Sequence, residues 1–473
     1  MTDLLSLPWL EAALVVPLIG ALVVGRIRAP LRAARAGTGF AAATFFLSAI
    51  AGFAAAAGYP EPAWNIQPRI DGNRPFALDG LTGPLIPAVA LLHLLTAAAT
   101  ARTRMRRFSF AWSLTTEAVG LAALACTDAW MLVGLLAAGT VPPLLELRER
   151  GRPVRVYLFH MALFFGLLLG GWILTAYGSR GWGPGMLLVA VLIRSGIVPF
   201  HCWVTDWFEH SSFGNALLFV APLTGALAAV RLLLPVAPPW ALDVLEVAAL
   251  VSAIYCAAMA TVQSEARRLF AFLFLSHGAL VLIGMAVDRP LSLTGSLRIW
   301  SSVILSLGGF GLTMRALEAR VGRLSLTRFH GLYEHVPALA VCFLLTGLAS
   351  VGFPGTLGFV GGEMLVDGVV DVNLWVGSAV VMAAALNGIA VVRAYFLLFT
   401  GTRHGSTIPL RATRRERLAV LTLTALILGL GLVPQPALMA RYRAAEEILK
   451  ERQTRTAEKL QAETPVKEIQ PAN

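Results

Sequence analysis

Six ionisable side chains lie inside strongly apolar stretches of the sequence, where a charge could take part in moving ions across a membrane. They are Arg194, Glu117, Glu363, Arg298, Arg231 and Arg393. A charged side chain at the centre of a membrane helix costs at least about 2.5–3.5 kcal/mol on insertion scales, so each one needs a partner or water. Arg231 and Arg393 lie near the ends of their stretches, and we expect their charged groups to reach the membrane surface. The other four are candidates for an ion pathway.

Two histidines, His201 and His277, add titratable groups to this set. Histidine can gain or lose a proton near physiological pH, because modest changes in its surroundings shift its pKa in either direction. The alternative for each is a structural histidine that is bonded to a backbone carbonyl. The sequence leaves both interpretations open.

The elements that carry these residues must be membrane helices. The chain has 473 residues, of which 57% are hydrophobic and only 14% charged, whereas soluble proteins carry about 25% charged residues. We therefore predict an all-α, polytopic membrane protein without a removable signal peptide. The four cysteines have no metal-type spacing and are predicted to be buried small hydrophobic residues.

Apolar windows of about 20 residues predict about fourteen transmembrane helices. The windows are 9–25, 38–58, 77–100, 108–126, 129–146, 156–177, 184–200, 213–235, 240–262, 269–287, 291–314, 336–365, 373–400 and 417–438. With this count every Arg-rich connection falls on one side: 26–35, 102–107, 148–155, 265–268, 315–328 and 403–417. The positive-inside rule then places that side in the cytoplasm and both termini outside, in a cell (inner) membrane. The net charge of +11 thus indicates membrane topology and not nucleic-acid binding.

Two predicted spans are interrupted by Gly and Pro, at residues 194–203 and 352–363. Broken membrane helices are tolerated mainly where they line a polar site enclosed by protein, although Gly and Pro are also common in ordinary kinked spans. Each interruption lies in the fourth helix of a five-helix block, which is the spacing that an inverted repeat would produce. The predicted regions are a three-helix region 1–107, repeats 108–235 and 240–400, a last span within 401–440, and a polar C-terminal tail 441–473. Within the tail, residues 451–461 are predicted to form a solvated helix that frays into a disordered end.

Three segments resemble the antiporter-like membrane subunits of respiratory complex I, Mrp antiporters, membrane-bound hydrogenases and the DAB-type inorganic-carbon transporter. They are VPFHCWVTDWFEHSSFGNALL at 198–218, EARRLFAFLFLSHGALVLIGMA at 265–286 and GLASVGFPGTLGFVGGEMLV at 347–366. The resemblance implies two inverted five-helix repeats with two broken helices, and charged residues along the membrane midplane.

The family's titratable residues fall on only a few suitable side chains of this sequence. Its lysine on the first broken helix falls on Arg194, its acidic residue on the fifth helix falls near Ala137, and its SxSH histidine falls on His277. Its remaining charged or titratable positions fall on Phe219 or Thr224, on Ser302, and on Gly362 with Glu363 next to it. A relay of the usual family type is therefore largely missing.

Lysine is missing from the entire apolar part of the chain, because the three lysines all follow Leu449. A buried lysine can release its proton, whereas arginine stays protonated, so Arg194 can act as a fixed charge, a gate or an anion contact but not as a proton carrier. Glu117 could pair with Arg194 in place of the family's glutamate–lysine pair. His93 and His160 lie in no family-like motif and are given no role.

The leading functional prediction is an H⁺- or Na⁺-conducting subunit that energises inorganic-carbon uptake. Its predicted partners are other membrane subunits and a soluble, zinc-containing, carbonic-anhydrase-like subunit. The chain itself is predicted to catalyse nothing and to bind no cofactor or metal. The alternatives are a proton-translocating subunit of a complex I- or hydrogenase-type oxidoreductase, and a scaffold that conducts no ions.

Overall fold

The computed structural model describes residues 7–58, 67, 74–178, 181–402 and 411–463, with side chains described as far as residue 454. In these ranges the regular structure is helical, apart from two isolated β-bridges. Helices α1–α6 span Trp9–Gly25, Pro30–Ala56, Leu85–Ala98, Phe110–Ala125, Ala129–Glu149 and Arg155–Tyr177. Helices α7–α12 span Trp182–Ser195, Cys202–His210, Phe213–Leu233, Pro239–Val262, Ala266–Ala286 and Pro290–Val321. Helices α13–α17 span Pro337–Val351, Leu357–Val370, Leu374–Phe399, Arg414–Leu432 and Gln435–Glu463.

The all-α, polytopic membrane architecture is confirmed. Every predicted apolar window overlaps a helix. Eight of the described helices are long and apolar enough to cross a membrane, and the pair α16 and α17, bent by 77°, brings the number to nine. Five further windows contain apolar helices of 10–17 residues, which are short for the full thickness of the hydrocarbon layer. The total of fourteen crossings stays a prediction.

Both predicted interruptions are real breaks in the helices. Helix α7 ends at Ser195 and α8 begins at Cys202, with Gly196 in the left-handed region at φ 66°. Helix α13 ends at Val351 and α14 begins at Leu357, with Gly352 at φ 96°. A third interruption, inside α9, was not predicted: Leu223 has φ 48° and separates two helical halves.

The centre of the bundle is formed by α9, α11 and α12. Within their most apolar windows 89%, 100% and 94% of the residues are buried, against 22% for α2 and α6, which therefore present most of their surface to lipid. Three of the four cysteines are buried as predicted. Cys202 is exposed, so that prediction is wrong for it, because Cys202 lies at the start of α8 beside the first break.

Glycines allow α12 and α14 to approach backbone to backbone. A Cβ atom added at Gly295 would lie 2.5 Å from the backbone nitrogen of Leu365, and one added at Gly368 would lie 2.4 Å from that of Ser292. Small residues at such contacts are typical of tightly packed membrane helices. This packing holds the second broken helix against the centre of the bundle.

Five of the six Arg-rich connections meet at one end of the bundle. Arg267 forms a bidentate ion pair with the carboxylate of Glu318. The backbone carbonyl of Glu318 also accepts a hydrogen bond from Arg104. A hydrogen bond links Arg150 to the carbonyl oxygen of Arg107, and an ion pair links 315–328 to Glu416. This clustering is what the positive-inside pattern predicts, while the assignment of this end to the cytoplasm remains a prediction.

The last helix, α17, is only partly solvated. Its buried face consists of Arg441, Ala444, Ala445 and Leu449. Arg441 donates hydrogen bonds to the carbonyl oxygens of residues 80 and 81 and to Ser301 Oγ, at 2.8 Å for the last. Arg441 therefore fixes this face of α17 to carbonyl groups that lie before α3, whereas the segment predicted to form a solvated helix, 451–461, lies further along α17. Residues 464–473 of the predicted tail lie outside the described residues.

Candidate ion pathway

Arg194 lies at the C-terminal end of α7 with only 6% of its surface exposed. Its guanidinium carbon is 5.3 Å from the ring centre of Trp203 and 4.5 Å from that of Phe219. Phe219 is one of the two positions on which the family's next basic residue falls. Cation–π contacts of this kind stabilise a desolvated arginine by about 2 kcal/mol or more.

Two small cavities flank this guanidinium, and Thr224 lines both of them. One lies towards α4 and α5, next to Thr116 and Gly139, and the other lies towards α11, next to Ser195 and Gly278. Each has a volume of about 20 Å³, which is enough for about one water molecule. The first break and the unpredicted turn at Leu223 create this space, because they open the helices that would otherwise fill it.

Glu117 does not pair with Arg194, so that prediction is wrong. Glu117 lies on α4, is fully buried, and neither carboxylate oxygen has a hydrogen-bond partner. Its nearest titratable neighbour is His93 on α3, whose Nδ1 lies 3.9 Å from Glu117 Oε2 and 3.5 Å from Ser113 Oγ. Sequence reasoning missed His93, because the two residues are on different helices and no spacing rule relates them.

His277 joins the central helix α11 to the second break. Its Nδ1 lies 2.7 Å from the carbonyl oxygen of Leu273, and its Nε2 lies 2.9 Å from that of Ser350. A neutral imidazole carries one N–H and can satisfy only one of these oxygens, whereas the protonated ring satisfies both. The carbonyl bonds fit the structural alternative, and the second acceptor also makes this position able to hold an additional proton.

The other predicted pathway residues do not line either cavity. His201 is half-buried between the rings of Tyr255 and Phe272, and its Nδ1 has no hydrogen-bond partner. Arg298 is buried and donates a hydrogen bond of 3.3 Å to the carbonyl of Leu430. Glu363 lies on the exposed side of α14.

Arg231 and Arg393 bind polar groups near the ends of their helices, and the expectation that their charges reach the membrane surface stays a prediction. Arg393 donates to the carbonyl oxygens of Gln263 and Leu326, at 3.1 and 3.4 Å. Arg231 forms an ion pair with Asp79, which lies before α3. Burial alone would raise the pKa of Asp79, but the attraction of Arg231 and two hydrogen bonds from Thr82 together hold it below its ordinary value.

Titratable groups elsewhere in the described chain do not assemble into a metal site: these residues contain no cluster of three or more His, Cys, Asp or Glu side chains suited to a metal ion.

Sequence comparison gives the same class of protein as the geometry. Residues 156–387 match the family described as "NADH:quinone oxidoreductase/Mrp antiporter, TM". NADH-quinone oxidoreductase subunit N of Chromohalobacter salexigens is 29% identical over 59% of this chain and 63% of its own length, which is less than two thirds. NAD(P)H-quinone oxidoreductase chain 4 1 of Nostoc sp. is 24% identical over 92% of this chain and 90% of its own.

Solved structures share the fold along nearly the whole chain. A chain of respiratory complex I from Thermus thermophilus superposes with a TM-score of 0.82 at 22% identity, covering 93% of this chain and 99% of that one. A chain of the Mrp complex from Dietzia sp. superposes with a TM-score of 0.81 at 18% identity, covering 95% and 99%. The protein is thus a polytopic membrane protein with the antiporter-like fold. It is a distant homologue of the antiporter-like membrane subunits of complex I, Mrp and related complexes, which confirms the resemblance of its three segments.

Proposed function

We propose that this chain is a proton-translocating subunit of a complex I- or Mrp-like membrane complex. The observation that carries the proposal is the group of Arg194, the pair Glu117 and His93, and two water-sized cavities inside an otherwise apolar bundle. Buried ionisable groups in membrane helices are costly and generally mark ion or proton routes. The relatives reported above are named as quinone oxidoreductase subunits, and these names favour a redox complex over the inorganic-carbon transporter predicted from the sequence.

In this proposal the proton carriers are carboxylate and imidazole groups instead of lysines. Glu117 and His93 hold a proton between α3 and α4, and water in the cavity beside α4 and α5 connects that region with Arg194. His277 receives a proton beside the second break, where two carbonyl oxygens accept its N–H groups. Arg194 keeps its charge and acts on the cavity water electrostatically.

The finer arrangement is part of the same proposal. The blocks 108–235 and 240–400 form the two inverted repeats, the Arg-rich end faces the cytoplasm, and both termini lie outside. Glu363 on the outer side of α14 lies against a neighbouring subunit, because a carboxylate facing lipid would cost several kcal/mol. Arg298 and His201 keep supporting positions beside the route.

The test is proton flux through the intact complex in liposomes that contain a pH-sensitive dye. Glu117→Gln removes the carboxylate but keeps the shape, and we expect flux to fall about tenfold or more. Glu246→Gln, on α10 at a position that lines neither cavity, is the control and should leave the flux unchanged. A wild-type rate in Glu117→Gln would refute the route.

The scaffold alternative has one specific observation in its favour, since no lysine precedes residue 450. It predicts that the intact complex shows no flux under an imposed gradient. Mass spectrometry of the proteins that co-purify in mild detergent distinguishes a redox or antiporter complex from a carbon-uptake complex. We expect oxidoreductase or antiporter subunits, whereas a soluble zinc protein of the carbonic-anhydrase type would support carbon uptake.

A further inference from the structure

The guanidinium of Arg194 has no hydrogen-bond acceptor among the described residues. An arginine side chain carries five N–H donors and a permanent charge. Its guanidinium lies against the faces of Trp203 and Phe219, and no carboxylate in the described chain forms an ion pair with it. A buried charge without a counter-charge is strongly unfavourable. The site therefore requires something negative or strongly polar that the protein does not supply.

The cavity on the α11 side offers two additional donors. Ser195 Oγ and Thr224 Oγ1 are both shielded from solvent and both lack a hydrogen-bond partner. Both residues line the cavity together with Arg194. Gly225 is needed for this arrangement, because a Cβ atom there would lie 2.2 Å from Ser195 Oγ.

The remaining wall of the cavity is apolar and includes Val220, Leu223 and Phe274. Its volume of about 20 Å³ admits one particle of about the size of a water molecule. Tetrahedral anions such as sulfate are too large for this space. A fixed cation, two hydroxyl donors and an apolar wall are together suited to a small, monovalent, weakly hydrated anion.

We infer that this cavity binds one halide-sized anion, with chloride as the physiological ligand. Arg194 supplies the counter-charge, and the hydroxyls of Ser195 and Thr224 donate hydrogen bonds to the ion. The ion places a negative charge beside Arg194, which has no carboxylate partner in the structure. This inference concerns binding and does not depend on whether the complex moves protons.

The experiment is equilibrium binding of radiolabelled chloride to the full-length purified protein in detergent. We expect one saturable site per chain in the wild type and its loss in Arg194→Gln. Arg194→Lys keeps the charge and should retain binding. Thr224→Val removes one donor at constant shape and should weaken the affinity about tenfold or more.

Thr313→Val is the control, since it removes a buried threonine hydroxyl that bonds only its own helix. The chloride affinity of this variant should equal that of the wild type. Size-exclusion profiles establish that each variant is folded. A crystal soaked in bromide should show an anomalous peak between Arg194 and Thr224. Absence of saturable binding in the wild type, equal binding in Arg194→Gln, or a cavity occupied by water only would each overturn the inference.

Discussion

The ion pair of Arg267 and Glu318 should be one of the strongest single contributions to the stability of this bundle. Two hydrogen bonds of 2.7 Å join the guanidinium of Arg267 to both oxygens of Glu318. A third donor of Arg267 reaches the carbonyl oxygens of Phe208 and Ser211, at 3.1 Å each, at the end of α8. The pair therefore fastens the second half of the first broken helix to α11 and α12.

Replacing Arg267 with Met should lower the free energy of unfolding by about 3–5 kcal/mol, because it leaves a buried carboxylate without its counter-charge. The side chains are only 14% and 6% exposed, so solvent screens the pair weakly. The double variant Arg267→Met with Glu318→Leu should recover much of this loss, since both charges are then removed together. Reversible unfolding in detergent, monitored by tryptophan fluorescence, measures the coupling energy of the cycle.

The neighbouring pair Arg323 and Glu265 is the control, because it joins the residue before α11 to the loop after α12. Its atoms are 3.4 Å apart and its side chains are 50% and 43% exposed, so its removal should cost between about 0 and 1 kcal/mol. Equal losses for the two pairs, or a coupling energy near zero for Arg267 with Glu318, would refute the reasoning from burial.

Two further predictions concern backbone packing and pH. Gly295→Ala should destabilise the protein by about 1–3 kcal/mol, because the new methyl group meets the backbone of α14. The control Gly166→Ala should be neutral or slightly stabilising, because no atom lies within 4 Å of the added methyl group. Thermal unfolding measures the stability of both variants. The contribution of Asp79 should be complete above about pH 4, the pKa of an unfolded aspartate, and should fade as the pH drops through its lower folded value. Asp79→Asn should remove this part of the pH dependence. If the melting temperature of the variant fell with decreasing pH as steeply as that of the wild type, the prediction would be wrong.

Local sequence signals were sufficient for the class of fold and for its main interruptions. Apolar windows located most of the helices, because a membrane helix must be apolar along its whole length, but α8 lies between two windows and α17 lies mostly beyond the last one. Gly196 and Gly352 marked two breaks, since glycine readily adopts a left-handed backbone. The break at Leu223 escaped detection, because leucine rarely adopts that conformation and only Pro222 hinted at it.

Which charged groups meet was decided by the tertiary structure alone. In a soluble helix the polar side indicates the outside, but here lipid-facing and buried sides are both apolar, so the sequence does not reveal which way a residue points. The sequence therefore did not predict the contact between His93 and Glu117. It also did not predict that Glu363 lies on the exposed side of α14 or that Arg194 lies against two aromatic rings. By itself the sequence determined a helical membrane bundle that resembles the antiporter-like subunits but lacks most of their titratable residues. Only the packing of the helices decided where the remaining charges, hydroxyls and cavities come together, because that depends on the rotation of each helix about its own axis.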